Sequence, residues 1–306
     1  MKYAILFSGQ GAQFAGMGQT FDAEAPLFHQ HFMAYGKALG WDLPALCFTE
    51  NERLQETAYA QAAIVAYSLA VYESVKSLLP APTAMLGLSL GEYSALAASG
   101  FMTATATLQL VQQRGRLMAQ AAADQPGAMA AVMNATPEQL AQACQADDVT
   151  VANYNTPKQV VLSGTTAGVA QASAILKQLG VRRVLPLPVS GAFHSALMQP
   201  AQAPLAAALA QTTVQAGQVP VWSNTTQQPF TVATLRDTLT QQLVSPTYFA
   251  TCLQALAAQG VTHFIEMGPG KTLTQFVRKT IPEAQAIAIQ QPTDLVTLPE
   301  ILHVSA

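Results

Sequence analysis

Charge is scarce in this chain. Of its 306 residues only a tenth are Asp, Glu, Lys or Arg, half are hydrophobic, and the net charge is -3. Fourteen Lys and Arg over such a length make no basic face. Nucleic acid is therefore excluded as the expected partner, and an anionic substrate must be met by a few well-placed cations. Cysteine is equally sparse. Cys47, Cys144 and Cys252 are odd in number, far apart and without C-x-x-C spacing, which excludes a disulfide framework and a zinc site and leaves reduced core thiols. No apolar run reaches the roughly 20 residues that a membrane span needs. The longest, Ala58 to Tyr72, is interrupted by Gln61 and Ser68 and reads as a buried helix. The N-terminus enters the apolar run Tyr3 to Phe7 after one Lys, too short for a signal peptide. The expectation is a soluble, cytoplasmic protein with no membrane, nucleic-acid or metal partner.

What is present is an alternation of short β-like and long helical runs. Strand 3–7, helices 27–39 and 58–79, strand 83–88 and helix 104–123 follow one another, which predicts an α/β layer with a mainly parallel sheet. From Ala128 the order becomes strand 128–133, helix 136–145, strands 150–154 and 159–163, helix 167–179 and strand 182–186. This βαββαβ succession is the ferredoxin-like unit. Its caps agree: Thr136-Pro137-Glu138-Gln139 supplies an N-cap threonine, a proline at the first helical position and a glutamine at the third, and Gly180 follows the second helix. After Ser190 the larger pattern resumes with strand 220–223, helices 232–243 and 248–258, strand 262–267, helix 272–279 and strand 285–289. A large unit of residues 1–126 and 191–306 is thus expected to carry a small unit of residues 127–190, with a ligand cleft between them.

Gly87-Leu88-Ser89-Leu90-Gly91 puts a serine between two glycines where an apolar run becomes a helix. It reads as a nucleophile elbow: the serine sits in a strained turn that only glycine-sized neighbours allow, with helix N–H groups aimed at the same spot. An ordinary strand-to-helix turn in a chain rich in small residues gives the same string. The loop Ser8-Gly9-Gln10-Gly11-Ala12-Gln13 follows the first strand, yet Phe14 stands where a dinucleotide fingerprint needs its third glycine. Two readings stay open there, a plain tight turn and a loop whose Gln10 N–H faces an active site. Gly268-Pro269-Gly270-Lys271-Thr272 is no Walker A, because Ile265 occupies the place of the first glycine, and reads as a turn that starts a helix.

A serine nucleophile needs a base, and the chain offers His29, His31, His194, His263 and His303. The first two fall on a surface helix, His263 within a strand pattern and His303 in the tail. His194 stands in the small-residue loop Ser190 to Ser195, where it is either a surface residue or the base. Arg114, in Gln113-Arg114-Gly115-Arg116, lies on an otherwise uncharged helical stretch. It is either a solvated charge or an inward guanidinium able to pair a carboxylate.

Taken in order, these segments resemble the malonyl-CoA:acyl carrier protein transacylases of fatty acid synthesis and the acyltransferase domains of polyketide synthases. The resemblance covers essentially the whole chain. It rests on residues 8–13, Ser-Leu-Gly-Glu-Tyr-Ser-Ala-Leu at 89–96, Gln-Arg-Gly-Arg-Leu-Met at 113–118, and Pro-Gly-Ala-Met-Ala-Ala-Val at 126–132. Asn-Tyr-Asn at 153–155, Gln-Val-Val-Leu-Ser-Gly at 159–164, Ala-Phe-His-Ser-Ala-Leu-Met at 192–198 and Glu-Met-Gly-Pro-Gly-Lys at 266–271 complete it. It implies an α/β-hydrolase-like body with a mainly parallel sheet, carrying a ferredoxin-like insertion. It also implies Ser89 as nucleophile, His194 as base, Gln10 and Leu90 as oxyanion N–H donors, and Arg114 as the group gripping the malonyl carboxylate. In such proteins a main-chain carbonyl orients the histidine, on a loop that looks here like Ser245-Pro246-Thr247-Tyr248; Tyr248 stands where Gln or Arg is usual. Leu88 replaces the usual His before the serine. Phe193 is similar to the malonyl-selective version and would crowd a methyl group on the substrate's second carbon.

The activity so implied is ping-pong transfer from malonyl-CoA to the phosphopantetheine thiol of an acyl carrier protein. Malonyl-CoA is then a substrate, and no cofactor is bound. A serine hydrolase built on the same elbow and a non-catalytic carrier-binding relative are the rivals; Ser89, His194 and Arg114 are all retained. Arg182, Arg183, Lys177 and Lys279 are candidates for meeting an acidic carrier, or plain solvated charges.

Overall fold

A computed structural model describes residues 1–145 and 148–298. The strands are β1 (Tyr3–Phe7), β2 (Ala84–Gly87), β3 (Gly127–Met133), β4 (Val149–Thr156), β5 (Gln159–Thr165), β6 (Arg183–Pro186), β7 (Val221–Trp222), β8 (His263–Met267) and β9 (Gln285–Ile289). Five of them form a parallel sheet in the order β7-β2-β1-β8-β9. Central β1 is buried at all of its positions, because helices cover both faces of such a sheet. Its side chains alternate between two cores. Tyr3, Ile5 and Phe7 join Met85, Ile265 and Met267 on one side, and Ala4 and Leu6 join Ala84, Leu86 and Phe264 on the other. Burial on both faces is why these strands read as continuous apolar runs rather than as alternating ones.

The remaining four strands form an antiparallel sheet, β4-β5-β3-β6. With helices Pro137–Ala143 and Thr166–Gln178 between them, this is the βαββαβ unit expected from the sequence. Thr136 and Gln139 close a reciprocal capping box, and Gly180 takes φ +90° after the second helix, the left-handed conformation that favours glycine. The unit has its own core, including Ala130, Val132, Leu162, Leu176 and Val184. Its edge is tied to the large unit. Tyr154 N donates to Thr247 O at 2.8 Å and Thr247 N to Ala152 O at 2.9 Å, while Asn153 Nδ2 donates to Thr247 Oγ1 at 2.7 Å.

Helix Gln199–Gln211 occupies a stretch where the sequence reading places no element. Its two prolines, normally breakers, are tolerated for a local reason. Pro200 lies in the first turn, where an N–H has no partner, and the carbonyl that Pro204 leaves without a donor belongs to Pro200, in that same turn. The glycine-rich turn after β8 starts helix Thr272–Thr280, as expected. The buried Glu266 carboxylate accepts Leu273 N at 3.1 Å and Thr274 N at 2.7 Å. That helix N-terminus is therefore already capped by a carboxylate from within the fold.

Candidate active site

The segment from β2 into helix Gly91–Ser99 forms the elbow. Ser89 has φ +52°, a conformation costing a non-glycine residue about 1–3 kcal/mol. The flanking glycines are required by close approach. A Cβ on Gly87 would lie 1.8 Å from Gly91 C, and one on Gly91 would lie 2.1 Å from Phe7 O. His194 is held in the same left-handed region, at φ +59°. Strain at both residues is tolerated because their surroundings fix them, a pattern that clusters at working sites.

Ser89 Oγ lies 2.8 Å from His194 Nε2. His194 Nδ1 lies 2.8 Å from Gln242 O and 3.2 Å from Ser245 O. Carbonyls only accept, so Nδ1 carries the proton and Nε2 presents its lone pair to the serine. Burial, reinforced by the Arg114 charge, pushes the His194 imidazole down to about 4; it is therefore neutral, and a competent base, at neutral pH. A main-chain carbonyl of the 245–248 loop, that of Ser245, thus faces the histidine as the resemblance implies, while Tyr248 itself makes no hydrogen bond to it. The Tyr248 ring stacks on Tyr154, centroids 5.0 Å apart and planes at 6°; the accepting carbonyls belong to Ser245, at the start of that loop, and to Gln242, the last residue of helix Leu235–Gln242.

Arg114 projects inward and is 1% exposed. It shares the buried stripe Leu110, Val111, Gly115 and Met118 of helix Ala104–Asp124, and its neighbour Gly115 lets the helix approach Thr57 O, which a Cβ would meet at 2.8 Å. The guanidinium donates to Gln61 Oε1 at 2.6 Å, to Gln242 Oε1 at 2.9 Å and, weakly, to Ser89 Oγ at 3.4 Å. It also lies 5.2 Å from the Tyr93 ring centroid. These partners are all neutral, its Nε has no partner, and burial lowers its pKa. Glu92, 0% exposed, is reached only through Gln242, whose Nε2 donates to Glu92 Oε2 at 2.5 Å and to Ser89 O at 3.1 Å. Glu92 Oε1 accepts from Asn224 N at 2.5 Å. Burial pushes the Glu92 carboxyl up to about 8, against the pull of the Asn224 and Gln242 donors.

Gly9, Gln10, Leu88, Ser89, Leu90, Arg114 and His194 line a cavity of about 160 Å³. Neither the Gln10 nor the Leu90 main-chain N–H donates to another protein group among the described residues, so both are available to an oxyanion. Phe193, 7% exposed, joins Met118, Met129, Val161 and Leu187 in the apolar wall. Leu88 is half-buried on that wall and packs against one of the two sheet cores. The other described histidines do not line the cavity. His29 is exposed and pairs with Asp22 at 2.9 Å, His263 lies on β8 beside Thr262, and His303 lies outside the described residues. A larger open groove of about 960 Å³, between Leu69, Phe101 and Gln211, contains none of the site groups. Among the described residues no cluster of His, Cys, Asp and Glu is placed to hold a metal, and no helix is long and apolar enough to cross a membrane.

Sequence reasoning missed Gln242 and Glu92 and noted Gln61 only as an interruption in an apolar run. A polar residue isolated in a buried helix was the available signal for Gln61, since such a group must find partners inside. Gln242 carried no comparable mark.

Comparison with known proteins places this geometry. The family model for the acyl transferase domain matches residues 5–294. The chain is 39% identical over 298 residues to the malonyl CoA-acyl carrier protein transacylase of Bacillus subtilis, covering 95% of this chain and 94% of that protein. It is 37% identical over 309 residues to the protein of the same name from Escherichia coli K12, with 98% and 99% covered. Among solved structures it is similar to MCAT from Streptococcus pneumoniae, 38% identical with a TM-score of 0.93, covering 98% of this chain and 100% of that one. It is also similar to a chain of the solved structure of a type II PKS acyl-carrier protein in complex with its malonyl-transacylase, 33% identical with a TM-score of 0.94, covering 98% of this chain and 100% of that one.

Proposed function

Because the chain belongs to the acyl transferase family, we propose that it moves a malonyl group from malonyl-CoA to the phosphopantetheine thiol of an acyl carrier protein, as an S-malonyltransferase of fatty acid synthesis. Its partners are malonyl-CoA and the carrier protein, the two that its relatives' names carry. The observation that supports the malonyl reading is Arg114, a fully buried guanidinium 3.4 Å from Ser89 Oγ with only neutral protein partners. A buried charge of this kind is stabilised by a carboxylate, and a guanidinium receives one through two parallel hydrogen bonds. An acetyl group offers it nothing.

Ser89 Oγ gives its proton to His194 Nε2 and bonds to the thioester carbon, and the carbonyl electron pair moves onto oxygen between the Gln10 and Leu90 N–H groups. Collapse of this adduct breaks the carbon–sulfur bond, and the departing CoA sulfur takes the proton from Nε2. The carrier thiol then gives its proton to Nε2 and attacks the ester carbon; Ser89 leaves and recovers that proton. Malonyl-CoA enters as substrate and the scheme uses no cofactor. Phe193 crowds the second carbon of the acyl group. On this reading residues 1–126 and 191–306 form the catalytic unit, and the 127–190 unit contributes Met129, Asn153, Asn155 and Val161 to the cavity wall.

The test is to incubate the protein with malonyl-CoA, locate the adduct by mass spectrometry, and add holo carrier protein. A malonyl group on the Ser89 peptide that passes to the carrier thiol is expected. An adduct that decays in buffer as fast as with carrier would make the protein a hydrolase, and no adduct would make it a non-catalytic relative.

A further inference from the structure

Gln61 is fully buried within the apolar helix Thr57–Val75 and does not line the cavity. Its carboxamide is nevertheless fully engaged. Oε1 accepts from Arg114 at 2.6 Å, and Nε2 donates to Gln10 Oε1 at 3.2 Å and lies 3.3 Å from Met118 Sδ. Only this orientation works, since the flipped amide would turn its NH2 toward the guanidinium and its oxygen toward the Gln10 oxygen. Gln10 extends the chain: its Nε2 donates to Thr57 Oγ1 at 3.0 Å, which lies 3.2 Å from Ser190 Oγ. From Arg114 to Gln61 to Gln10 to Thr57, every donor points away from the charge, so each bond polarises the next.

The far end of this chain is the oxyanion loop. At Ser8 that loop is fastened to the sheet, with Ser8 Oγ 3.2 Å from Glu266 Oε1 and 3.1 Å from Pro269 O. At Gln10 it is held through the side chain, by Gln61 and Thr57. The residue whose main-chain N–H faces the oxyanion is thus tied, through one buried amide, to the residue that faces the acyl carboxylate.

We propose that Gln61 is a positioning residue that couples carboxylate recognition at Arg114 to the placement of the Gln10 N–H. The inference rests on the roles given to Arg114 and Gln10 above. A carboxylate seated on Arg114 fixes the guanidinium against Gln61, and Gln61 fixes Gln10, so the oxyanion donor is best ordered when the acyl group carries a carboxylate. Interaction energy from a part of the substrate that does not react is thereby expressed in the transition state, as kcat rather than as KM. An acetyl group adds no such hold to the relay.

The experiment measures kcat and KM for malonyl and acetyl transfer to holo carrier protein, with thermal unfolding in parallel, for wild type, Gln61→Ala, Gln10→Met, Arg114→Ala and the Gln61→Ala/Arg114→Ala double variant. Gln10→Met keeps the main-chain N–H and cuts the relay from its other end. Each relay variant is expected to lower malonyl kcat on the order of tenfold to a hundredfold, with a smaller change in KM and a clearly smaller loss for acetyl, so that the malonyl-to-acetyl ratio falls. Adding Gln61→Ala to Arg114→Ala should change the malonyl-to-acetyl ratio no further. Equal losses for both acyl groups, or additive effects in the double variant, overturn the coupling and leave Gln61 a packing residue. Should Gln61→Ala fail to fold, Gln10→Met on its partly exposed loop decides by the same ratio. Wild type that forms no malonyl adduct on Ser89 overturns the functional reading and the coupling together; an adduct with an unchanged ratio in the variants overturns the coupling alone.

Discussion

Arg114 and Glu92 are joined by a single carboxamide: Gln242 Oε1 accepts from the guanidinium at 2.9 Å, and its Nε2 donates to the carboxyl at 2.5 Å. A direct pair would satisfy the guanidinium with the protein's own anion. With a neutral amide between them, and the Glu92 carboxyl raised to about 8, the guanidinium has no anionic partner among the described residues, and its donors remain for a substrate carboxylate. The same residue donates to Ser89 O and lends its carbonyl to His194, so Gln242 touches Ser89, His194 and Arg114 together.

Arg114→Ala should cost malonyl transfer about 2 kcal/mol or more, a loss of roughly 30-fold upward, while acetyl transfer stays largely intact. Steady-state transfer of both acyl groups to holo carrier protein checks this. Equal losses would mean that Arg114 supports the elbow rather than the carboxylate.

The acid limb of acylation should lie near pH 4, because His194 is held down to about 4, and the rate should be flat from about pH 5.5 to neutrality. Part of that depression comes from the Arg114 charge. Arg114→Ala should therefore move the limb to higher pH, read as acetylation rate against pH. The folded state also binds fewer protons here than the unfolded chain between about pH 4 and the ordinary 6.5, so the stability His194 contributes is lost as pH falls through that window. A limb that stays in place in the variant would leave burial as the sole cause.

Glu92 has the opposite sign. Its carboxyl is raised from 4.5 to about 8, so the folded state keeps a proton that the unfolded chain releases, and stability falls as pH rises across that window. Glu92→Gln removes this dependence. Urea unfolding at pH 5 and pH 8 should show the advantage of wild type over the variant narrowing with rising pH; a constant difference would place the Glu92 carboxyl in its ordinary range.

Gly91→Ala should destabilise the protein by about 3 kcal/mol or more, since the added Cβ would lie 2.1 Å from Phe7 O and 3.0 Å from Ser8 O. These are rigid main-chain atoms in and beside β1. Gly100→Ala is the control, because nothing lies within 4 Å of its Cβ and only its φ of +91° opposes the change. Chemical denaturation of both variants measures the difference.

The chain itself carries the local decisions. Strands buried on both faces read as apolar runs, the Thr136 capping box and Gly180 mark the small unit, and Gly87 and Gly91 mark the elbow, because each depends on neighbours a few residues away. Helix Gln199–Gln211 escaped that reading because its prolines look like breakers unless their place in the first turns is known. The orienting loop 245–248 is legible through the resemblance, but that Gln242 O shares the His194 ring with Ser245 O is not, because no local pattern tells which carbonyl will face a given ring.

The sequence by itself determined the turn at Ser89, the candidate nucleophile and base, and the family, since strained turns and ordered motifs are written in adjacent residues. Only the tertiary structure decided how Arg114 is held and what orients His194. Those depend on hydrogen bonds between residues as far apart as Glu92 and Gln242, 150 positions along the chain. Whether a buried glutamine bridges a cation and an acid is fixed by where the sheet and its helices bring the chain back, and a neutral amide leaves no periodic or charge signature to announce it.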